Sequence, residues 1–309
     1  MTCEAGKCVA GSPFPDAGAA GGGGGGTTGG GSGATGGGGG AIGGGGGNTG
    51  GGGGEVDAGI DAGIDAGTGM DAGIDAGTND AGVDAGLSPG DTLALTSAGR
   101  LVTFNLAEGA VRTATAVTGL QGGEVLVGLD VRPGGATANQ AIALGSSGRL
   151  YVIDPATAAA TVKATLVADP SDITAAFTAL TGAQFGVDFN PVADRLRVVS
   201  TTGQNLRINA DTGATITDGD LNVAATPRLG VTAVAYTNDF STACRTALYY
   251  LDTTTDELFT TTDPNGGALT LVGVLGVNAD AVSAFDILTA SAGTNRALAS
   301  LTVAGTNSL

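Results

Sequence analysis

Between Phe185 and Gly213 the chain reads FGVDFNPVADRLRVVSTTGQNLRINADTG, and apolar and polar positions alternate along it in three short runs. Phe185, Val187 and Phe189 alternate with Gly186 and Asp188, and the runs Arg195–Ser200 and Asn205–Asn209 alternate in the same way. A period of two places successive side chains on opposite faces of an extended strand. Asn190–Pro191 and Thr201–Gly203 interrupt the runs with residues suited to tight turns. The same strand–turn–strand unit recurs at SAGRLVTFN (97–105), SSGRLYVID (146–154), TTDELFTTT (254–262) and GTNSL (305–309). The repeated leucines are Leu101, Leu150, Leu206, Leu258 and Leu309, a spacing of about 50 residues, which is the length of a propeller blade of four short strands. The pattern therefore predicts an all-β chain, a β-propeller of about five four-stranded blades with the last blade incomplete. Inner strands are expected at 127–133, 185–191, 232–238 and 282–288, and outer strands at 110–117, 160–167, 214–217 and 268–275. The first unit shows no inner strand of its own, and 170–180 is read as a short helix.

Composition divides the chain. Many of the 59 glycines fall before Ser88, where 21–54 is Gly-rich and 57–86 repeats Asp-Ala-Gly. Such a segment buries too little apolar surface to offset the entropy of ordering it, so residues 1–87 are expected to form a disordered Gly/Asp-rich stalk. Its Asp residues recur mostly every four positions without the Gly-Gly frame of calcium-binding nonapeptides, which argues for a solvated spacer. Residues 88–309 are the propeller-like domain.

A net charge of −17 argues against nucleic acid and anionic lipid as partners. No apolar run is long enough to span a bilayer, and no signal peptide follows Met1. With no His in the chain, Ser-His-Asp triads, Cys-His dyads and His-containing zinc sites are excluded. Cys3 and Cys8 are close enough in sequence to suggest a disulfide-bearing segment, and Cys244 stands apart from them.

Two constellations carry candidate chemistry. In the third unit Asp188, Arg195, Arg197, Asn205, Arg207 and Asn209 fall on one face if the strands align. Arginines at alternate positions could hold an anion or a sugar, or could form an ion-pair network between blades. The second set is Asp130, Asp188 and Asp286, at the same place in GLD, GVD and AFD, with Ala235 in the fourth unit. Carboxylates on inner strands could converge to bind calcium, could act as the acid and base of a glycoside hydrolase, or could accept backbone N–H bonds within their own blades. The scarcity of aromatic residues, 4% with no Trp, weakens the hydrolase reading because sugars stack on aromatic platforms. Asp154, Asp211 and Asp252 read as turn residues.

The long motif at 185–213, followed by LYYLDTTTDELFTTTDPNGGALTLVGVLGV, closely resembles the bacterial domain-of-unknown-function 4394 family. The resemblance covers most of 91–309 and implies an exported bacterial protein with a propeller-like domain, no established activity and no catalytic residues. The resulting expectation is a monomeric, non-enzymatic binding or display module outside the cell or on its surface. It would need no cofactor, and its ligand would be a saccharide, a peptide or a surface protein. A glycan hydrolase and a structural envelope protein are the alternatives. The incomplete first and last units lead to the expectation that the chain is a fragment, cut at its C-terminus and also at its N-terminus.

Overall fold

The structure is a computed structural model that describes residues 2–4, 7–9, 92–107, 111–134, 139–291 and 294–309. Among these there are strands, turns and bends but no helix. Among the described residues five sheets, each built on an antiparallel run of three or four strands, form a five-bladed β-propeller. Blade 2 contains Leu126–Val131, Ala141–Gly145, Arg149–Ile153 and Ala160–Thr165. Blade 3 contains Phe185–Asn190, Arg195–Ser200, Asn205–Ile208 and Ala214–Thr217, with Val167–Ala168 added parallel to its outer strand. Blade 4 contains Val231–Tyr236, Leu248–Asp252, Glu257–Asp263 and Ala268–Val274, and the short strands Asn222–Val223 and Thr226–Pro227 extend it.

The repeat is visible in the backbone. The turn before each third strand has a residue at positive φ in a corresponding place, Gly99, Gly148, Gly203, Asp256 and Gly305, with φ of 70°, 80°, 83°, 56° and 79°, and in blade 5 Ala304 beside it is also positive at 51°. Glycine meets this left-handed conformation without steric cost, and Asp is among the few other residues that tolerate it. Aligned on this turn, the Thr92–Leu95, Arg100–Phe104 and Val111–Ala116 strands of blade 1 are the second, third and outer strands. Among the described residues no strand takes the inner position of blade 1. Ala279–Ser291, Thr294–Val303 and Thr306–Ser308 are the first three strands of blade 5. Four-stranded blades thus hold for the middle of the chain, and among the described residues both end blades carry three.

Apolar clusters fill the seams between blades. Leu101, Tyr151 and Ile153 join blades 1 and 2; Leu150, Phe189 and Leu206 join blades 2 and 3; Val199, Tyr250 and Phe259 join blades 3 and 4. Each fully buried Leu contributes about 1.5–3 kcal/mol. None of these three clusters contains a residue of blade 5. Successive inner strands pack closely, and a Cβ on Gly186 would lie 2.8 Å from Ala233 Cα. One on Gly128 would overlap the Val187 side chain. The glycines two positions before Asp130 and Asp188 therefore let neighbouring inner strands approach.

The expected helix at 170–180 is absent. Asp169 Oδ1 accepts the Ser171 N–H, Asp172 Oδ1 accepts the Thr174 and Ala175 N–H groups, and Asp172 Oδ2 accepts the Thr217 N–H at 2.9 Å. These side chains take the amides that helical turns would use, a competition typical of Asp. Phe177 and Leu180 pack against the cluster between blades 2 and 3. In the segment expected to be a stalk, Thr2–Glu4 pairs antiparallel with Lys7–Val9, with Cys3 opposite Cys8. The remainder of 1–87 lies outside the described residues. Among the described residues no helix is long and apolar enough to cross a membrane.

Candidate functional site

The inner-strand carboxylates converge, and they do so by a repeating rule. Asp130 of blade 2 reaches the next blade and accepts the Phe189 N–H through Oδ2 at 2.7 Å. Asp188 of blade 3 does the same one blade on, accepting the Tyr236 N–H through Oδ2. Phe189 and Tyr236 occupy equivalent places, one residue after Asp188 and after its counterpart Ala235. Ala235 has no oxygen to offer, so the corresponding amide in blade 5, Ile287, is accepted by its own neighbour, Asp286 Oδ1, at 2.6 Å. Asp130 Oδ1 likewise accepts the Val131 N–H at 2.7 Å, where the preceding blade has no inner strand among the described residues. Inner strands are sheet edges with unpaired amides, and these carboxylates satisfy one in each of blades 2 to 5. The expectation that each Asp serves only its own blade is corrected for Asp130 and Asp188, whose bonds to Phe189 and Tyr236 cross between blades. The reason is the close inner-strand packing at Gly128 and Gly186.

Crowding of acids has an electrostatic cost. Burial, then the charges of Asp286 and Asp239, holds Asp130 well above the usual carboxylate range. Burial, then the charges of Asp130 and Asp286, holds Asp188 well above the usual carboxylate range. Burial also raises Asp286. Asp239 is pushed up to about 7 by burial and by the charge of Asp286. Among the described residues no group of three or more acidic, Cys or His side chains is arranged to hold a metal ion.

The third-unit set aligns largely as the alternation predicts. Asp188, Arg197 and Arg207 are cross-strand neighbours, and Val199 faces Asn205. Arg197, 2% exposed, donates to Asp218 at 2.6 Å, Asn205 at 2.8 Å and Asn265 of blade 4 at 3.0 Å. Arg207 donates to both oxygens of Asp218 at 2.7 and 2.9 Å. Asn205 donates to the Gly219 and Pro264 carbonyls. Arg195 stands apart at the exposed strand end, opposite Asn190, and donates to the Asp194 carbonyl. Asn209 lies in the following turn, where its Oδ1 accepts the Asp211 N–H. A second network joins blades 2 and 3. Arg132, also 2% exposed, binds Asp194 at 2.6 Å and Asp211 at 2.8 Å, and Lys163 adds a contact to Asp211 at 3.0 Å. Asp211, read from sequence as a turn residue alone, is therefore also an ion-pair partner, held far below the usual carboxylate range chiefly by Arg132.

A different feature sits where the inner strands end. The connection from the first to the second strand of blade 4 is long, Thr237 to Ala247, whereas blade 3 makes the same turn with Pro191 to Asp194. Asn238 N–H is bonded to Asn295 and Asp239 N–H to Thr289, both in blade 5 and both at 2.9 Å. Asp239, Phe240 and Ser241 face Val131, Pro133 and Asn139 of blade 2 across a cavity of about 280 Å³. Asp239 Oδ1 is buried without a hydrogen-bond partner. Cys244, on the same loop, is disulfide-bonded. Sequence reasoning missed Asp239, because the length of this connection varies from blade to blade, with 132–140 in blade 2, 191–194 in blade 3 and 237–247 in blade 4, so the repeat does not mark it.

Among solved structures the chain is similar to glutaminyl cyclase of Myxococcus xanthus, at 12% identity over 62% of this chain and 74% of that one, with a TM-score of 0.42. It is also similar to BBS1N in complex with ARL6DN, at 13% identity over 67% of this chain and 56% of that one, with a TM-score of 0.33. No curated protein matches the sequence. The family model described as "Domain of unknown function (DUF4394)" matches residues 100–309, and the chain belongs to that family.

Proposed function

We propose that the protein is an exported, non-enzymatic binding module whose ligand docks at the end of the propeller where the inner strands finish. The observation that carries this reading is the cavity of about 280 Å³ that Val131, Pro133 and Asn139 of blade 2 line together with Asp239, Phe240 and Ser241 of the Thr237–Ala247 loop. The buried arginines, by contrast, are spent within the protein: Arg132 on Asp194 and Asp211, Arg197 on Asp218. The disulfide at Cys244 supports a location in an oxidising compartment, outside the cell or on its surface. The inner carboxylates are engaged with backbone amides, those of Asp130 and Asp188 across blades, which favours binding over hydrolysis. The test is a thermal-shift screen of the full chain against glycan, peptide and calcium panels. A stabilising ligand whose effect is lost in Asp239→Asn supports the reading. No shift with any panel removes it and leaves the structural envelope role.

A further inference from the structure

Cys244 is disulfide-bonded, and the sequence holds two other cysteines, Cys3 and Cys8. Within the chain its partner is therefore one of these two. Both belong to the hairpin of Thr2–Glu4 and Lys7–Val9, which falls in the same compact unit as the blades. The bond thus ties the loop that lines the cavity to a hairpin at the other end of the chain. Three cysteines cannot all pair with one another. Cys3 and Cys8 are directly opposite in the register of the antiparallel hairpin. Residues so placed share a face and have Cα atoms about 4.5–5.5 Å apart, inside the range of about 4.4–6.8 Å that a disulfide spans. The cysteine that Cys244 does not take is therefore the direct neighbour of the one it takes. A thiol beside a disulfide is what thiol–disulfide exchange needs.

We propose that Cys3, Cys8 and Cys244 form a disulfide-exchange latch on the Thr237–Ala247 loop. In the latched form Cys244 is bonded to one hairpin cysteine. The thiolate of the other attacks its neighbour's sulfur, the Cys3–Cys8 bond forms and the bond to Cys244 breaks. Cys244 leaves as a thiolate and takes up the proton that the attacking thiol gave to solvent. One disulfide and one thiol are present before and after, so no oxidant or reductant is consumed. Exchange releases a loop that is otherwise held by the bonds of Asn238 and Asp239 to blade 5 and, beside Cys244, by the Ala243 N–H on the Phe240 carbonyl at 3.0 Å. Because Asp239, Phe240 and Ser241 of this loop line the cavity, the latch sets the cavity's shape. It does so whatever the cavity binds, so it stands or falls apart from the binding-module reading.

The experiment is disulfide mapping of the full chain. Lys7 lies between Cys3 and Cys8, so trypsin places Cys3 in peptide 1–7, Cys8 in 8–100 and Cys244 in 229–245. Protein alkylated at pH 4, where thiolates are scarce and exchange is halted, should give 229–245 linked to 1–7 or to 8–100, with the label on the remaining peptide. Protein held at pH 8.5 before labelling should give at least tenfold more of 1–7 linked to 8–100, with the label moved to 229–245 and one thiol per chain throughout. Replacing the cysteine labelled at pH 4, by Cys3→Ser or Cys8→Ser, should keep the Cys244 bond intact at pH 8.5. In Cys244→Ser the Ala243 amide should exchange with deuterium at least tenfold faster than in the wild type. Linkage of 1–7 to 8–100 alone at pH 4 overturns the proposal, and so does a bond from 229–245 to a second copy of the chain. A map that is the same at pH 4 and pH 8.5 overturns the exchange. Equal Ala243 rates in the two proteins overturn the control of the loop.

Discussion

Asp239 should make the protein less stable as the pH rises, which can be measured directly. Its carboxyl is pushed up to about 7 in the folded chain, against about 3.9 in an unfolded one. A raised carboxyl pKa means that the native state holds the proton over the interval between the two values. Stability is therefore greatest below the unfolded value and falls as the pH climbs from about 4 to about 7. Each unit corresponds to about 1.36 kcal/mol, so the group's largest contribution is about 4 kcal/mol, less whatever water reaching the partly open cavity screens. The chain has no His, so no side chain of ordinary pKa adds its own slope between pH 5 and 8. In a domain of this size about 2–4 °C of Tm accompanies each kcal/mol, so the expected loss is on the order of 10 °C. The assay is thermal unfolding of the wild type and Asp239→Asn at half-unit steps from pH 4.5 to 8. The variant cannot ionise at 239, so it should match the wild type near pH 4.5 and exceed it by several degrees at pH 8. Superimposed curves, or a wild-type Tm that rises across this interval, would refute the reasoning. Asp130, Asp188 and Asp286 add slope of the same sign to both proteins. Below about pH 4 the sign reverses, because Asp211, Asp172 and Glu124 are held low by their partners and lose them on protonation. A carboxylate kept where it costs stability is what a binding role would require.

Other substitutions test the packing and the ion pairs. Leu206→Ala empties a fully buried place in the cluster between blades 2 and 3 and should cost about 2–5 kcal/mol in denaturant unfolding. Gly186→Ala puts a methyl 2.8 Å from the backbone of Ala233 and should cost about 1–3 kcal/mol, read as a lower urea midpoint. Arg197→Ala strips a buried partner from Asp218 and should cost about 3–5 kcal/mol, while Arg195→Ala, at the exposed strand end, should stay within about 0.5 kcal/mol in the same assay. In hydrogen exchange the Tyr236 amide should lose protection in Asp188→Ala and keep it in Asp188→Asn, whose amide oxygen still accepts.

The five-fold repeat was readable because its turn needs a positive φ in every copy. Four copies meet the requirement with Gly and one with Asp256, so the punctuation survives when the surrounding residues drift. Strand alternation then placed the inner and outer strands within a few residues. The convergence of Asp130, Asp188 and Asp286 was also legible, since equal positions in equal strands meet around one axis. Their bonding was not, because it depends on the distance between neighbouring inner strands, which Gly128 and Gly186 set and alternation does not report. The partners of the third-unit arginines were hidden for a related reason: Asp218 and Asn265 lie in connections whose course the repeat leaves open. The helix expected at 170–180 failed on a local competition, with Asp169 and Asp172 claiming the amides that a helix would have used.

Ala235 interrupts an otherwise regular chain of carboxylate links, and the interruption falls at the border with blade 5. That border has contacts such as Thr232 with Ser283 at 2.7 Å and Asn238 with Asn295, which water can imitate, and among the described residues no cluster of buried apolar side chains joins it. The ring is thus unequal around its circumference. Thermal or chemical stress should open it first beside its last blade, and the loop bearing Asp239, tethered to that blade, would move with the opening.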